Sequence, residues 1–310
     1  MRQKWILALV AATLLSPLAN AARTAVPGTV NYVEGQVSIE GQKLSTAQDG
    51  TSALQANQIL NTQDGKAEVL LSPGVFMRVG SNSQIRMVTP GLVDPRVEVL
   101  RGDAMIEVDQ KPKQVHLTIS QQGADASLLK EGLYRFDADE GRIAVFDGKA
   151  QVSRNGQTSK EFGKGRELIL ANADLKPEKF DTKAQDDLYK WSNVRSEYLA
   201  QANAATARTI YVNGGYGFGG WGSGWFWNPY FSTYSWLPGD GYFMSPFGYP
   251  FYSPRYIMYS PVVVGRSYVG RPYVGRPRAF SGAGMAARPQ FHSVRPMGAA
   301  PAFRGRIGRR

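Results

Sequence analysis

Cysteine is absent from the 310-residue sequence, so neither a disulfide framework nor a thiolate metal site can form. Histidine is almost absent. His116 falls in an alternating stretch at 115–119 and reads as a solvent-facing strand residue, and His292 stands in an arginine-rich C-terminal stretch. Two histidines so placed suggest neither a histidine metal site nor a nucleophile–histidine pair. Asp137, Asp139 and Glu140 resemble a carboxylate cluster, but they precede Gly141 between the strand-like runs 133–136 and 143–146, and a hairpin turn accounts for them. Gly215, Gly217 and Gly220 satisfy G-x-G-x-x-G only by composition, because the preceding strand and following helix that a dinucleotide site needs are missing. The expectation is a non-enzymatic protein with no cofactor and no metal. No apolar run approaches the roughly 20 residues that cross a bilayer. Acidic residues nearly vanish after Ile210, where Asp240 alone stands against 11 arginines and no lysine. That imbalance carries +10 of the formal net charge of +11, so the earlier part of the chain is close to neutral.

What is present begins with a targeting pattern. Arg2 and Lys4 precede an apolar stretch at 5–15, and Ala19-Asn20-Ala21 offers a small-x-small cleavage site, so residues 1–21 read as a signal peptide and the mature chain as exported to the periplasm or outer envelope. From Thr29 to Val79 apolar and polar residues alternate, as in Val37/Ile39, Ala67/Val69/Leu71 and 76–79. Turn pairs such as Glu40-Gly41, Asp49-Gly50, Asp64-Gly65 and Pro73-Gly74 interrupt them, which predicts short, half-buried strands. One pattern occurs three times: an alternating strand reaches a glycine and continues with its alternation intact, around Gly35, Gly102 and Gly148. A glycine inside a strand pattern marks a bulge or bend, so these three are candidate corners of one curled β-structure ending near Leu170.

From Asp181 the period changes. Leu188, Trp191, Val194, Tyr198 and Ala202 recur at three- and four-residue steps, and Thr182 with Gln185 reads as a capping box. An amphipathic helix is expected within 181–208, packing Trp191 and Tyr198 against the β-domain. Residues 210–310 read as a disordered low-complexity tail, because residues 211–259 hold 19 of the 35 aromatic residues among Gly, Pro, Ser and Asn, without aliphatic periodicity. Val264-Gly-Arg266, Val269-Gly-Arg271 and Val274-Gly-Arg276 then repeat with period five.

Gly28-x-Val30, Val33-Glu34-Gly35-Gln36-Val37, 58–62, 67–74 and Met77-Arg78-Val79 together resemble the FecR domain, the periplasmic sensing domain of bacterial iron-uptake signalling. The resemblance covers roughly 28–108 and implies the fold and an envelope location. Regulators of that family carry a sigma-factor-binding segment and a membrane span ahead of the domain, whereas 27 residues precede it here. The expected fold is therefore all-β, a FecR-like curled antiparallel sandwich of jelly-roll type or a short β-solenoid over 28–170, followed by one helix and the tail.

The leading functional expectation is an envelope binding or scaffold module. Its tail would attach to anionic lipid, acidic polysaccharide or another envelope polymer, through Trp221, Trp225, Trp227, Trp236, Arg266, Arg271, Arg276, Arg304, Arg306, Arg309 and Arg310. Export argues against nucleic acid. The alternative is a periplasmic sensor in cell-surface signalling, working with a separate membrane-spanning partner.

Overall fold

The computed structural model describes residues 25–45, 50–213 and 223–259. The expected leader, the G-x-G-x-x-G string, His292, Trp221 and Arg266, Arg271, Arg276, Arg304, Arg306, Arg309 and Arg310 lie outside them.

Two sheets face each other. The first runs, in spatial order, Val30–Glu34, Lys66–Ser72, Val75–Val79, Asp103–Val108, Gly132–Asp137, Arg142–Asp147, Arg166–Ile169 and Glu178–Lys179. The second runs Gln157–Thr158, Lys149–Arg154, Ala124–Leu128, Leu117–Gln121, Arg96–Arg101, Gln84–Thr89, Ile59–Thr62, Val37–Ile39 and Gln42–Lys43, with Phe162–Gly163 also paired to Lys149–Arg154. Neighbouring strands are antiparallel, except that Leu117–Gln121 lies parallel to Arg96–Arg101 with Ile119 opposite Val97. The β-structure is thus an all-β sandwich, and its first sheet extends past the expected end at Leu170 to Lys179.

Val69, Leu71, Met77, Val79, Ile106, Tyr134 and Val145 of the first sheet pack against Leu60, Ile85, Val97, Ile119, Ala126 and Val152 of the second in one buried cluster. The second sheet keeps the alternation read in the sequence, buried and partly exposed residues taking turns along Gln84–Thr89 and Leu117–Gln121. The first sheet does not. Residues 67–72 and the whole of Val75–Val79 are buried on both faces, so the expected half-buried strands are fully covered. The physical reason is a third layer, made by one helix and two small hairpins, laid over the first sheet's outer face.

Gly35, Gly102 and Gly148 each stand where the chain leaves one sheet and enters the other: between Val30–Glu34 and Val37–Ile39, Arg96–Arg101 and Asp103–Val108, and Arg142–Asp147 and Lys149–Arg154. Their φ values are +67°, +67° and +96°, a backbone region that side-chain-bearing residues resist. The alternation survives each corner because both halves of the strand keep facing the same interior.

The helix spans Asp187–Val212, starting and ending later than the sequence suggested. Its cap is Asp186, whose Oδ1 accepts a hydrogen bond from Tyr189 N at 2.9 Å, in place of the expected Thr182–Gln185 box. Asp186 suits both tasks at that position, since its carboxylate also pairs with Arg135 on the sheet beneath. Part of the stretch read as low complexity is folded. Gly224–Asn228 pairs with Thr233–Leu237, and Tyr242–Met244 with Pro250–Tyr252. Aromatic residues take the alternating places that aliphatic ones usually hold. Trp225 opposes Trp236 and Trp227 opposes Tyr234, with the Trp227 and Tyr234 rings edge to face at 5.1 Å.

Candidate functional site: a charge network beneath the helix

Lys66–Ser72 and Val75–Val79 are joined at Pro73-Gly74, and this tight connection sets Glu68 directly opposite Arg78 on the outer face of the first sheet. Asp103–Val108 then places Phe76 opposite Glu107, which brings Glu107 beside the same arginine. Arg78 Nε donates to Glu68 Oε2 at 3.0 Å, and Arg78 Nη1 pairs with Glu107 Oε2. All three side chains are completely buried.

The helix completes the network from above. Arg195 Nη2 donates to Glu68 Oε1 at 2.9 Å, and Ser196 Oγ donates to Glu107 Oε1 at 2.6 Å. Asn31 Nδ2 also donates to Glu68 Oε1, at 2.9 Å, while Asn31 exchanges two further bonds with the backbone of Tyr234 in the first hairpin. Ser196 reaches Ser245 Oγ, just after the third hairpin strand, at 3.2 Å. The Arg195 guanidinium lies 4.1 Å from the Tyr32 ring centre and 5.1 Å from that of Tyr198, a double cation–π contact. Lower on the helix, Asn203 donates to the carbonyls of Trp236 and Tyr252 and accepts from Tyr252 N, bridging both hairpins.

The electrostatics follow from burial and pairing. Burial raises the pKa of Glu68, but Arg195 and Arg78 outweigh it and hold the carboxyl below its usual value. Burial acts to lower Arg78, and Glu107 and Glu68 more than reverse it. Asp109, at the end of the same strand as Glu107, behaves in the opposite way. It is buried, no N–H or hydroxyl donor among the described residues reaches either carboxyl oxygen, and burial with a hydrogen bond to the neighbouring Glu107 carboxyl pushes its pKa well above the ordinary aspartate value. Glu68 and Glu107 thus face the guanidinium groups of Arg78 and Arg195. Such a site can lock one layer onto another. No group of three or more metal-ligating side chains occurs among the described residues.

The sequence-derived site residues lie elsewhere. Asp137, Asp139 and Glu140 form the turn between Gly132–Asp137 and Arg142–Asp147, where Asp137 Oδ1 accepts from Glu140 N and Arg142 pairs with Asp137 and Glu140. His116 is exposed just ahead of Leu117–Gln121. Trp236, read as a contact residue of a free tail, is completely buried against Phe243 and Phe251, and Trp225 and Trp227 are half-buried in the same cluster. The Trp236 indole is core, and Trp225 and Trp227 pack against that core from its edge, because the first hairpin's aromatic face needs an apolar layer to cover it. The network itself was missed. Its one sequence signal was Glu68 and Arg78 set almost symmetrically about Pro73-Gly74.

No protein of curated function matches the chain. Two crystal structures of a protein from Parabacteroides distasonis ATCC 8503, proposed to be an anti-sigma factor, overlap it at 16% identity. Their TM-scores are 0.34 and 0.35, covering 43% and 44% of this chain. The chain spans 61% and 63% of the length of those structures. Residues 58–151 match the FecR protein family. Glu68, Arg78, Glu107 and Asp109 all fall within that match, so the network joins the matching strands to a helix and hairpins that follow it in sequence, and the chain carries a FecR domain.

Proposed function

We propose that this is a non-enzymatic, exported sensor component of a cell-surface signalling system, acting through a separate envelope protein. The observation that carries this reading is the FecR match over residues 58–151. The layering supports it, because the matching strands present a charged face that the chain's own helix and hairpins cover. Export rests on the basic, apolar and small-x-small pattern of residues 1–21. No helix among the described residues is long and apolar enough to cross a membrane. A second role, attachment to an envelope polyanion, is favoured by the ten arginines and no acid after Tyr259.

The test is crosslinking in intact envelopes followed by capture of the full-length protein. A discrete membrane-spanning protein recovered in stoichiometric yield supports the signalling reading. Recovery of lipid or polysaccharide alone overturns it and leaves attachment as the function.

A further inference from the structure

The second hairpin has two unlike faces. Phe243 and Phe251, opposite each other, turn toward the core, with Phe251 completely buried. The other face carries Tyr242 opposite Tyr252 and Met244 opposite Pro250, with the two tyrosine rings 6.1 Å apart. Tyr242 is 57% exposed and Met244 53%. Shortly downstream, Met258 is 59% exposed. Among the described residues, five of the eleven exposed large apolar or aromatic side chains fall within 230–258, although that stretch is a small part of the described chain. Packing does not require this. The hairpin is already anchored by Phe251 against Phe76, by Asn203 and by Tyr252, half-buried against Ala207, Leu237 and Ile257, so Tyr242 and Met244 are free to be polar.

We propose that the Tyr242–Met244–Pro250–Tyr252 face docks on an anionic lipid surface. Three features select lipid. Tyrosine, with an apolar ring and a polar tip, settles where hydrocarbon meets headgroups, and methionine adapts to a fluid apolar boundary. The face is small and two-stranded, which suits shallow insertion. The chain that follows supplies charge complementarity. Residues 260–310 contain ten arginines, no lysine and no acid, spread at short intervals. A lipid surface presents continuous negative charge and needs no fixed register with them. The inference rests on the attachment role above and names its contact face.

The experiment is co-sedimentation of the full-length protein with vesicles of phosphatidylglycerol and phosphatidylethanolamine in equal parts, and with phosphatidylcholine vesicles as reference. Selective binding to the anionic vesicles is expected. The double variant Tyr242→Ser/Met244→Ser keeps every charge and should lower the partition coefficient about tenfold. Val194→Ser, which removes a 62% exposed apolar residue from the helix, should bind as the parent does. Circular dichroism and thermal melting should be unchanged in both variants, since the altered side chains are exposed. Equal binding to both vesicle types overturns the proposal, as does an unaltered double variant or an equal loss on Val194→Ser. The vesicles contain no protein, so failure here leaves capture of a signalling partner standing.

Discussion

Arg195 and Glu68 are 127 residues apart in the chain, yet Arg195 Nη2 donates to Glu68 Oε1 at 2.9 Å. Glu68 is also held by Arg78 and Asn31, so one carboxylate joins the sandwich to the helix above it and, through Asn31, to the first hairpin. Breaking a buried pair strands a charge, which is far more costly than the net worth of the intact pair. Glu68→Gln is therefore expected to destabilise the protein by about 3 to 5 kcal/mol, measured by thermal or urea denaturation. In a cycle with Arg195→Gln, the double variant should cost clearly less than the two singles together, because each single leaves the other's partner unmatched. Strict additivity would show that the two groups do not meet.

Asp109 gives the same layer a pH dependence. Its folded-state pKa is raised, first by burial and then by Glu107, with Arg78 opposing. The folded protein therefore holds a proton that the unfolded chain releases near pH 3.9. The sign follows directly: the stabilising contribution is complete below about pH 3.9 and is lost as pH rises toward the raised folded value. Asp109→Asn removes this dependence. Its stability relative to the parent should increase from pH 4 to pH 8 in parallel denaturation series, and a constant difference would show that Asp109 is ionised when folded.

The corner at Gly148 is tight against Tyr134. A Cβ added there would lie 2.2 Å from Tyr134 Oη and 2.6 Å from the Glu131 carbonyl oxygen, at a φ of +96°. Tyr134 Oη donates to Lys130 O at 2.6 Å and accepts from Lys149 N at 3.0 Å, and burial pushes its pKa up to about 12. Gly148→Ala is expected to cost about 1 to 3 kcal/mol in thermal denaturation. The cost should shrink, without vanishing, in a Tyr134→Phe background, where the hydroxyl clash is gone and the backbone strain and Glu131 contact remain.

The sandwich was legible in the sequence because its signals are local. Period-two alternation marked the strands, and the glycines at 35, 102 and 148 interrupted that alternation without breaking it. The helix was legible as a helix and largely in its orientation: of its apolar stripe, Leu188 and Ala202 are buried and Trp191 packs on Tyr32, while Val194 is 62% exposed. What the stripe left out are the polar members of the buried face, Ser192, Arg195, Ser196 and Asn203. Polar residues at helical spacing read as a solvated face unless their partners are known, and those partners lie far away in sequence. The hairpins were hidden for a different reason. Trp225, Trp227, Tyr234 and Trp236 alternate correctly, but glycine, serine and asparagine around them resemble low complexity, and aromatic alternation carries no aliphatic signature.

That last difference decides where the protein can be cut. Read from sequence, the folded part ends near Thr209. In the structure, Leu70 and Phe76 are completely buried in a cluster with Tyr234, Trp236 and Phe251, all of which lie beyond that point. Truncation after Thr209 would remove those three rings and the Ser245 and Tyr234 contacts to the charge network. It would expose apolar surface beside Glu68, Arg78 and Glu107, whose burial is what keeps their pairing undiluted by water. Losing one large buried aromatic typically costs about 3 to 5 kcal/mol, a large share of the roughly 5 to 15 kcal/mol that holds a domain folded. A chain ending at Thr209 should therefore bind a hydrophobic dye and melt well below the full-length protein, while one ending at Tyr259 should melt with it. Limited trypsin digestion should likewise leave a resistant fragment that retains 223–252. If the Thr209 chain melts with the full-length protein, the hairpins do not stabilise the third layer, and the sequence-derived boundary is the correct one.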